Sequence, residues 1–256
     1  RAGGSARVSL VVLSLFPGIG LLDRGFEDEG FCVVCGPDLI WGGDVRKFHP
    51  PAGRFDGVIG GPPCQAFSRL RHLVEANGFA VAPSLIPEFE RVVAEAAPEW
   101  FLMENVPEAP LPHVDGYALH AFLLDHRAVG GQTRRRRRFS FGVRGLEPIL
   151  LDVETQPFDP AAGEPSVCAS DGGRRIPVKR GGSGKVKTTW TGGEIAKVSL
   201  SRACELQDVP GLDVPGLNAR TLRRGVGNGV PGRMARAVAR AIRLRVTSVL
   251  ATEARP

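Results

Sequence analysis

The stretch GGPPCQAFSR, Gly60 to Arg69, sets one of only 5 cysteines in a chain of 256 residues directly behind two prolines. A structural cysteine more often sits inside an apolar run, whereas a nucleophile needs a fixed position and an open route to its thiolate. Cys64 follows FDGVIGG, which reads as a strand, so it is expected at the edge of a sheet. Glu104, in MENVP, closes the next strand-like run and is expected at the same edge; alone it reads equally well as a cap. A thiol and a carboxyl converging there fit addition to an electron-poor ring, with the acid polarising the ring. GGQTRRRRRFSFG carries five consecutive arginines. Alternate residues of a strand share a face, so Arg134, Arg136 and Arg138 fall together, placed for phosphates or a base carbonyl. A solvated basic run is the plainer reading.

A second group of residues suits a nucleoside. LFPGIG lies between a strand and a helix, where glycines let a ligand approach the backbone. Asp38 comes 22 positions after Phe16, at the end of the second strand, where an acid accepts from ribose hydroxyls. FPGIG is not the three-glycine pyrophosphate pattern, so a nucleoside without phosphates, such as S-adenosylmethionine, fits better than NAD or FAD. Asp44 in GGDV suits an adenine amino group or, more plainly, a turn. In RGVGNGVP the Gly-Asn-Gly run permits a tight turn with positive φ, and Asn228 offers both a donor and an acceptor.

These residues need a frame. Val8 to Leu15 and Phe31 to Cys35 read as buried strands, FDGVIGG and EWFLMENV as two more, and RRFSFGV as another. A helix follows FPGIG, with Ile19, Leu22 and Phe26 at helical spacing, and a second spans roughly Pro87 to Ala97, stopped by Pro98. Strands alternating with helices predict a parallel α/β sheet. Tyr117 to Leu124 fits helix or strand. From Pro231 an amphipathic helix sets Met234, Val238, Ala241 and Ile242 on one face and Arg236, Arg240 and Arg243 on the other. Between about Val143 and Ser199 the composition turns to Gly, Pro and polar residues. The expected division is therefore a catalytic and cofactor-binding part over 1–142, a small recognition region over 143–199, and a return to the catalytic part over 200–256.

A net charge of +6 favours an acidic partner, nucleic acid above all. There is no 18-residue apolar run to span a membrane and no visible signal peptide, and the chain begins without Met. Few, odd and scattered cysteines fit a reducing compartment. Cys32 and Cys35 have C-x-x-C spacing, but three apart on a strand they point to opposite faces, so two core cysteines is the expectation and no metal site is assigned.

Taken in order, FPGIG, GGD, GGPPCQAFSR, MENVP, QTRRRRR, SRACELQDVP and GVGNGVP resemble the motifs of the cytosine-5 DNA methyltransferases, in a compact phage-type or bacterial form, over roughly Leu13 to Ile242. The resemblance implies a Rossmann-like class I S-adenosylmethionine-dependent fold with a small irregular recognition region. It implies Phe16, Gly18, Gly20, Asp38, Asp44, Val45, Pro63, Leu85 and Asn228 around the cofactor. It implies Cys64 as nucleophile, Glu104 as the base-binding acid, and Arg134 with Arg136 in the glutamine–arginine motif. Arg137 is the fallback, because GGQ replaces the usual VPQ and leaves the register open by a residue. Gln65, Ser68 and Gln132 would meet DNA, and Arg202 and Gln207 would organise the recognition region. In the basic segment RRIPVKRGGSGKVKTTW the contacts expected with DNA are Arg174, Arg175, Lys179, Arg180, Lys185, Lys187 and Trp190. Only five residues separate Asp38 from Asp44, where the family has a whole helix. The expected partner is double-stranded DNA, bound by a monomer in the cytoplasm of a bacterial or phage-infected cell. No partner endonuclease follows from the sequence. A tRNA-modifying branch shares these motifs, and a catalytically silent DNA-binding homologue is the other alternative. The basic insert favours DNA, and intact Cys64, Glu104 and Asn228 favour an enzyme.

Overall fold

The computed structural model describes residues 9–63, 83–167 and 198–253. Cys64, Gln65, Ser68 and the seven expected contacts from Arg174 to Trp190 lie outside these residues. Six strands form one sheet: β1 (Val11–Leu15), β2 (Cys32–Cys35), β3 (Gly57–Gly60), β4 (Trp100–Asn105), β5 (Tyr117–Asp125) and β6 (Arg136–Arg144), in the spatial order β2-β1-β3-β4-β6-β5. The first four pair in parallel. The expected all-parallel sheet stops there, because β6 runs antiparallel to both β4 and β5. A hairpin joined by a short turn can only be antiparallel. The ambiguous Tyr117 to Leu124 run is the strand β5.

The four parallel strands point their C-terminal ends toward one edge, and β1 and β3 bury both faces between helices. On one face α1 (Leu21–Asp28) and the long α5 (Gly232–Glu253) pack over Val12, Ile59, Trp100 and Leu102. On the other, α2 (Ile86–Ala96) covers Leu13, Leu15, Val58, Phe101 and Met103. Adjacent residues of one strand thus feed opposite cores, as the period of two requires. α3 (Leu200–Leu206) and α4 (Ala219–Asn228) form a third cluster with Ile19 and Leu21 at the mouth of α1.

Two elements depart from expectation. β2 is an edge strand, and Cys32 and Cys35 are both exposed free thiols rather than core residues. The arginine face of α5 is a tether rather than a free basic surface. Arg236 pairs with Asp28 at 3.2 Å, Arg240 with Glu29 at 2.9 Å, and Arg243 donates to the Glu29 carbonyl. The shortened link from β2 to β3 consists of two single 3-10 turns, Leu39–Trp41 and Val45–Lys47, each capped by an aspartate, Asp38 and Asp44. Arg91 of α2 holds the second turn, donating to the carbonyls of Val45 (2.8 Å) and Phe48 (3.1 Å) while pairing with Glu88 and Glu95.

Asp23, in the first turn of α1, is buried against β1, where Ser14 Oγ donates to it at 2.6 Å. Burial raises its carboxyl from 3.8 to about 6, against the Ser14 bond, which lowers it. The folded chain therefore keeps a proton on Asp23 that the unfolded chain has already lost. This group's contribution to stability is greatest below pH 4, falls as pH rises from 4 to 6, and is flat above. Denaturation midpoints of the wild type and Asp23→Asn between pH 4 and 8 check this. The variant's relative stability should grow by about 3 kcal/mol between pH 4 and 6, and no further.

Candidate active site

At the C-terminal edge of the parallel strands lies a cleft of about 460 Å³. Its lining includes Phe16, Gly18, Asp38, Asp44, Val45, Pro63, Leu85, Glu104, Arg137 and Asn228. Eight of the nine expected cofactor residues thus share one cavity with Glu104; Gly20 does not line it.

The cradle begins where β1 ends. Phe16, Gly18 and Gly20 take φ of 55°, 57° and 76°, so the chain turns sharply into α1. Glycine adopts this region freely, whereas Phe16 does so under strain, a feature that gathers at binding turns. Asp38 ties this turn to the end of β2: one carboxylate oxygen accepts from Gly18 N at 2.9 Å and the other from Ile40 N at 2.8 Å. Each oxygen keeps capacity for a further donor. Asp44 is differently placed. Both its oxygens are taken by the Arg46 side chain, one also by Arg46 N, and these bonds hold its carboxyl down at about 2. That geometry is the turn residue of the plainer reading.

α4 closes the far side. The expected Gly-Asn-Gly turn is instead the end of a helix: Asn228 is its last residue and Gly229 has φ −66°. The glycines serve packing. A Cβ on Gly225 would meet Ile19 at 2.5 Å, and one on Gly229 would meet Leu21 at 2.6 Å. The helix end thereby presses against the β1–α1 turn and leaves Asn228 exposed to the cleft.

Glu104 lies at the inner end, on the rim of β4, and is 8% exposed. Arg137 Nε stands 2.8 Å from its Oε1. Burial pushes the Glu104 carboxyl above the ordinary carboxylate range, and the charges of Arg137 and Arg135 offset only part of this. Gly61 leaves its other oxygen accessible, since a Cβ there would lie 3.0 Å from Oε2. Next to it, Asn105 Nδ2 donates to the Pro62 carbonyl at 3.1 Å, fixing the segment that leads through Pro63 to Cys64.

The arginine run divides by parity, but in the register opposite to the expected one. Arg134 and Arg136 are exposed and do not reach Glu104. Arg137 faces Glu104, and Arg135 is buried beside the end of α4. Pairing decides this: β6 is locked to β4 with Phe139 opposite Glu104 and Arg138 opposite Asn105. Arg138 donates to the Ala109 carbonyl. Gln132 is exposed and accepts from Arg202 at 3.2 Å.

Two supporting residues, Arg135 and His126, escaped sequence reasoning, and a third, Gln207, was expected only to organise the recognition region. Arg135 donates to the carbonyls of Val167, Gly227, Asn228 and Gly229. The fully buried Gln207 donates to those of Val226 and Gly229. His126, also fully buried, stands 2.8 Å from Thr133 Oγ1 and 2.6 Å from Asp208 Oδ2. It links the start of the arginine segment to the region between α3 and α5. A lone histidine after an apolar strand gave no signal for this.

The family model described as C-5 cytosine-specific DNA methylase matches residues 42–160. The type II methyltransferase M.NgoPII of Neisseria gonorrhoeae is 34% identical over 116 residues, 37% of this chain and 33% of the relative. M.HgiDI of Herpetosiphon aurantiacus is 29% identical over 163 residues, 52% of each chain. The chain thus spans a third to a half of the length of such relatives. Among solved structures, the Entamoeba histolytica methyltransferase EhMeth superposes with a TM-score of 0.58 at 11% identity, over 93% of this chain and 99% of that one. The S. pombe Dnmt2 methyltransferase gives 0.57 at 13% identity, over 94% and 99%. Residues 42–160 thus resemble the C-5 cytosine-specific DNA methylases, and the chain as a whole has a Rossmann-like class I methyltransferase fold.

Proposed function

We propose that the protein transfers a methyl group from S-adenosylmethionine to carbon 5 of cytosine in duplex DNA, through a covalent adduct with Cys64 and a base turned out of the helix. The observation that carries this reading is the buried Glu104–Arg137 pair at the inner end of the cleft. It sits beside the Pro62–Pro63 segment, which Cys64 follows directly in the sequence. The family description and the names of the type II relatives support DNA as the substrate.

The cleft suits the cofactor. Its volume lies within the range of about 300–1,000 Å³ typical of small-molecule sites. Asp38 retains acceptors for ribose hydroxyls, and the positive-φ turn at Phe16 and Gly18 exposes backbone to the ligand. Bound there, S-adenosylmethionine would supply an electrophilic methyl group.

Carbon 5 of cytosine is a poor nucleophile until carbon 6 is saturated. The Cys64 thiolate would add to carbon 6, forming an S–C bond and leaving carbon 5 enamine-like. Cytosine nitrogen 3 is an acceptor, so a protonated Glu104 is the useful form; burial favours it by resisting ionisation. Arg137 would hold the base carbonyl. Once carbon 5 is methylated, its proton leaves to base and the pair from that C–H bond re-forms the ring double bond. The S–C bond breaks as that double bond forms, and its electron pair leaves with the Cys64 thiolate. The target atom is inaccessible in a stacked duplex, hence the extruded base. Target recognition is assigned to 143–199, and the salt-dependent, sequence-blind part of affinity to basic side chains there.

Fluorine at carbon 5 cannot leave as a proton does. A duplex with 5-fluorocytosine at the target should trap the wild type as an adduct stable to denaturing electrophoresis, only with S-adenosylmethionine present, and Cys64→Ser should form essentially none. A wild type that methylates DNA without trapping, or one that methylates tRNA but not duplex DNA, would overturn the proposal.

The register of the arginines has its own test. Arg137→Ala should slow adduct formation by about 100-fold or more, the usual effect of removing one charge-stabilising donor. Arg136→Ala should leave the rate within about threefold, as expected for an exposed residue without a site contact. Single-turnover trapping rates measure both.

A further inference from the structure

Arg137 stands past the main pairing of its strand. The last pair between β4 and β6 is Asn105 with Arg138, so Arg137 lies one residue beyond the reach of β4. Its backbone partner is Leu124 of β5, and Arg136 pairs with Asp125, the last residue of that strand. Five identical arginines cannot mark their own places, so the chain just before them must hold this strand end. There Thr133 and Arg135 are buried while Arg134 and Arg136 are exposed, which puts Thr133 on the inward side with Arg137.

Thr133 is held by a chain of bonds that lies outside the cleft. His126 Nε2 stands 2.6 Å from Asp208 Oδ2, and a carboxylate only accepts, so Nε2 carries a proton. Nδ1 is then the acceptor: it receives Thr133 N at 3.4 Å and the Thr133 hydroxyl at 2.8 Å. His126 N also donates to the Arg135 carbonyl at 2.8 Å. The imidazole occupies the space of a missing side chain, because a Cβ on Gly131 would overlap the ring. Gly131 belongs to the GGQ run that departs from the VPQ pattern, so the departure makes room for His126. At the far end Asp208, with φ 58°, accepts from Arg233 N and Nε, each at 3.2 Å. Arg233 belongs to α5, which packs on the sheet through Met234 and Val238. The bonds therefore run from the body of the fold to a point four residues before Arg137. Resting on the function proposed above, we infer that His126 is a positioning residue for the reaction. Through Thr133 and Asp208 it fixes the strand end that aims Arg137 at Glu104 and the extruded base.

The test is single-turnover trapping by a 5-fluorocytosine duplex, with S-adenosylhomocysteine binding measured alongside by calorimetry. Thr133→Val keeps the shape of the side chain and removes the hydroxyl. It should slow trapping by about tenfold or more, the effect of a small misplacement of a reacting group, with cofactor affinity unchanged. Thr133→Ser, which restores the hydroxyl, should recover most of the rate. The decisive measurement is made on the Arg137→Ala background. If Thr133 acts through Arg137, the double variant traps no more slowly than Arg137→Ala alone. His126→Phe keeps a ring beside Gly131 and loses both bonds; it should behave as Thr133→Val does, and it takes that variant's place if Thr133→Val does not fold. Trapping at the wild-type rate by these variants overturns the inference. Loss of cofactor affinity along with the rate, or a loss that adds to that of Arg137→Ala, marks a merely structural link and overturns it too. Each of these outcomes leaves the proposed function standing, whereas a wild type that forms no adduct overturns that function and this inference with it.

Discussion

The structure turns on one buried cation. Arg135, 3% exposed, sits between β6 and the C-terminal end of α4 and donates to the carbonyls of Val167, Gly227, Asn228 and Gly229. Helix ends leave carbonyls without partners and carry partial negative charge, so a guanidinium there satisfies both needs. Gln207 completes the set through Val226 and Gly229. Taking a charge out of water costs several kcal/mol unless it is fully bonded, so the arrangement stands or falls as a unit. The strand that carries Arg137 is thereby fastened to the helix that carries Asn228.

This fastening joins the two halves of the cleft. Arg137 faces Glu104 on one side, and Asn228 with Arg224 faces the β1–α1 turn on the other. His126 secures the same junction from behind through Thr133 and Asp208, and Asp208 also receives Arg233 of α5. The supports come from the ends of β5, β6 and α3 and from α5, and the cleft-lining residues from the ends of β1 and β4, from β6 and from α4. The electrostatics follow. Burial pushes the Glu104 carboxyl above the ordinary carboxylate range, and the two arginines near it offset only part of that.

The link between Asp38 and Asp44 shows how a small chain keeps a pocket wall with little material. Two aspartate-capped turns stand in place of a helix, and one arginine, Arg91, holds the second of them to α2. Trp41 Nε1 donates to the Gly18 carbonyl at 2.8 Å, so the first turn leans on the β1–α1 loop. β2, before this link, is the exposed edge of the sheet.

Much of this protein was legible in its residues. Apolar runs of four to six placed β1, β3 and β4, and helical spacing with Pro98 bounded α2. The order of the motifs pointed to the description that the family model carries over residues 42–160, and Asp38, Glu104 and Asn228 do meet at one cleft. These features are local, or depend only on strand ends sharing an edge. What the tertiary structure decided was register and environment. Five identical arginines carry no internal mark of which parity faces inward; only the pairing of β6 with β4 settles that, and it selects Arg137. The place of β2 at the edge of the sheet, which its residues do not announce, leaves its cysteines exposed. Gly227 and Gly229 promised a turn, yet Gly229, like Gly225, serves close contact instead, with Leu21 and Ile19 respectively, partners some two hundred residues away. Sequence fixes what each residue can do within a turn or a strand; contacts between distant segments decide which of those capacities is used.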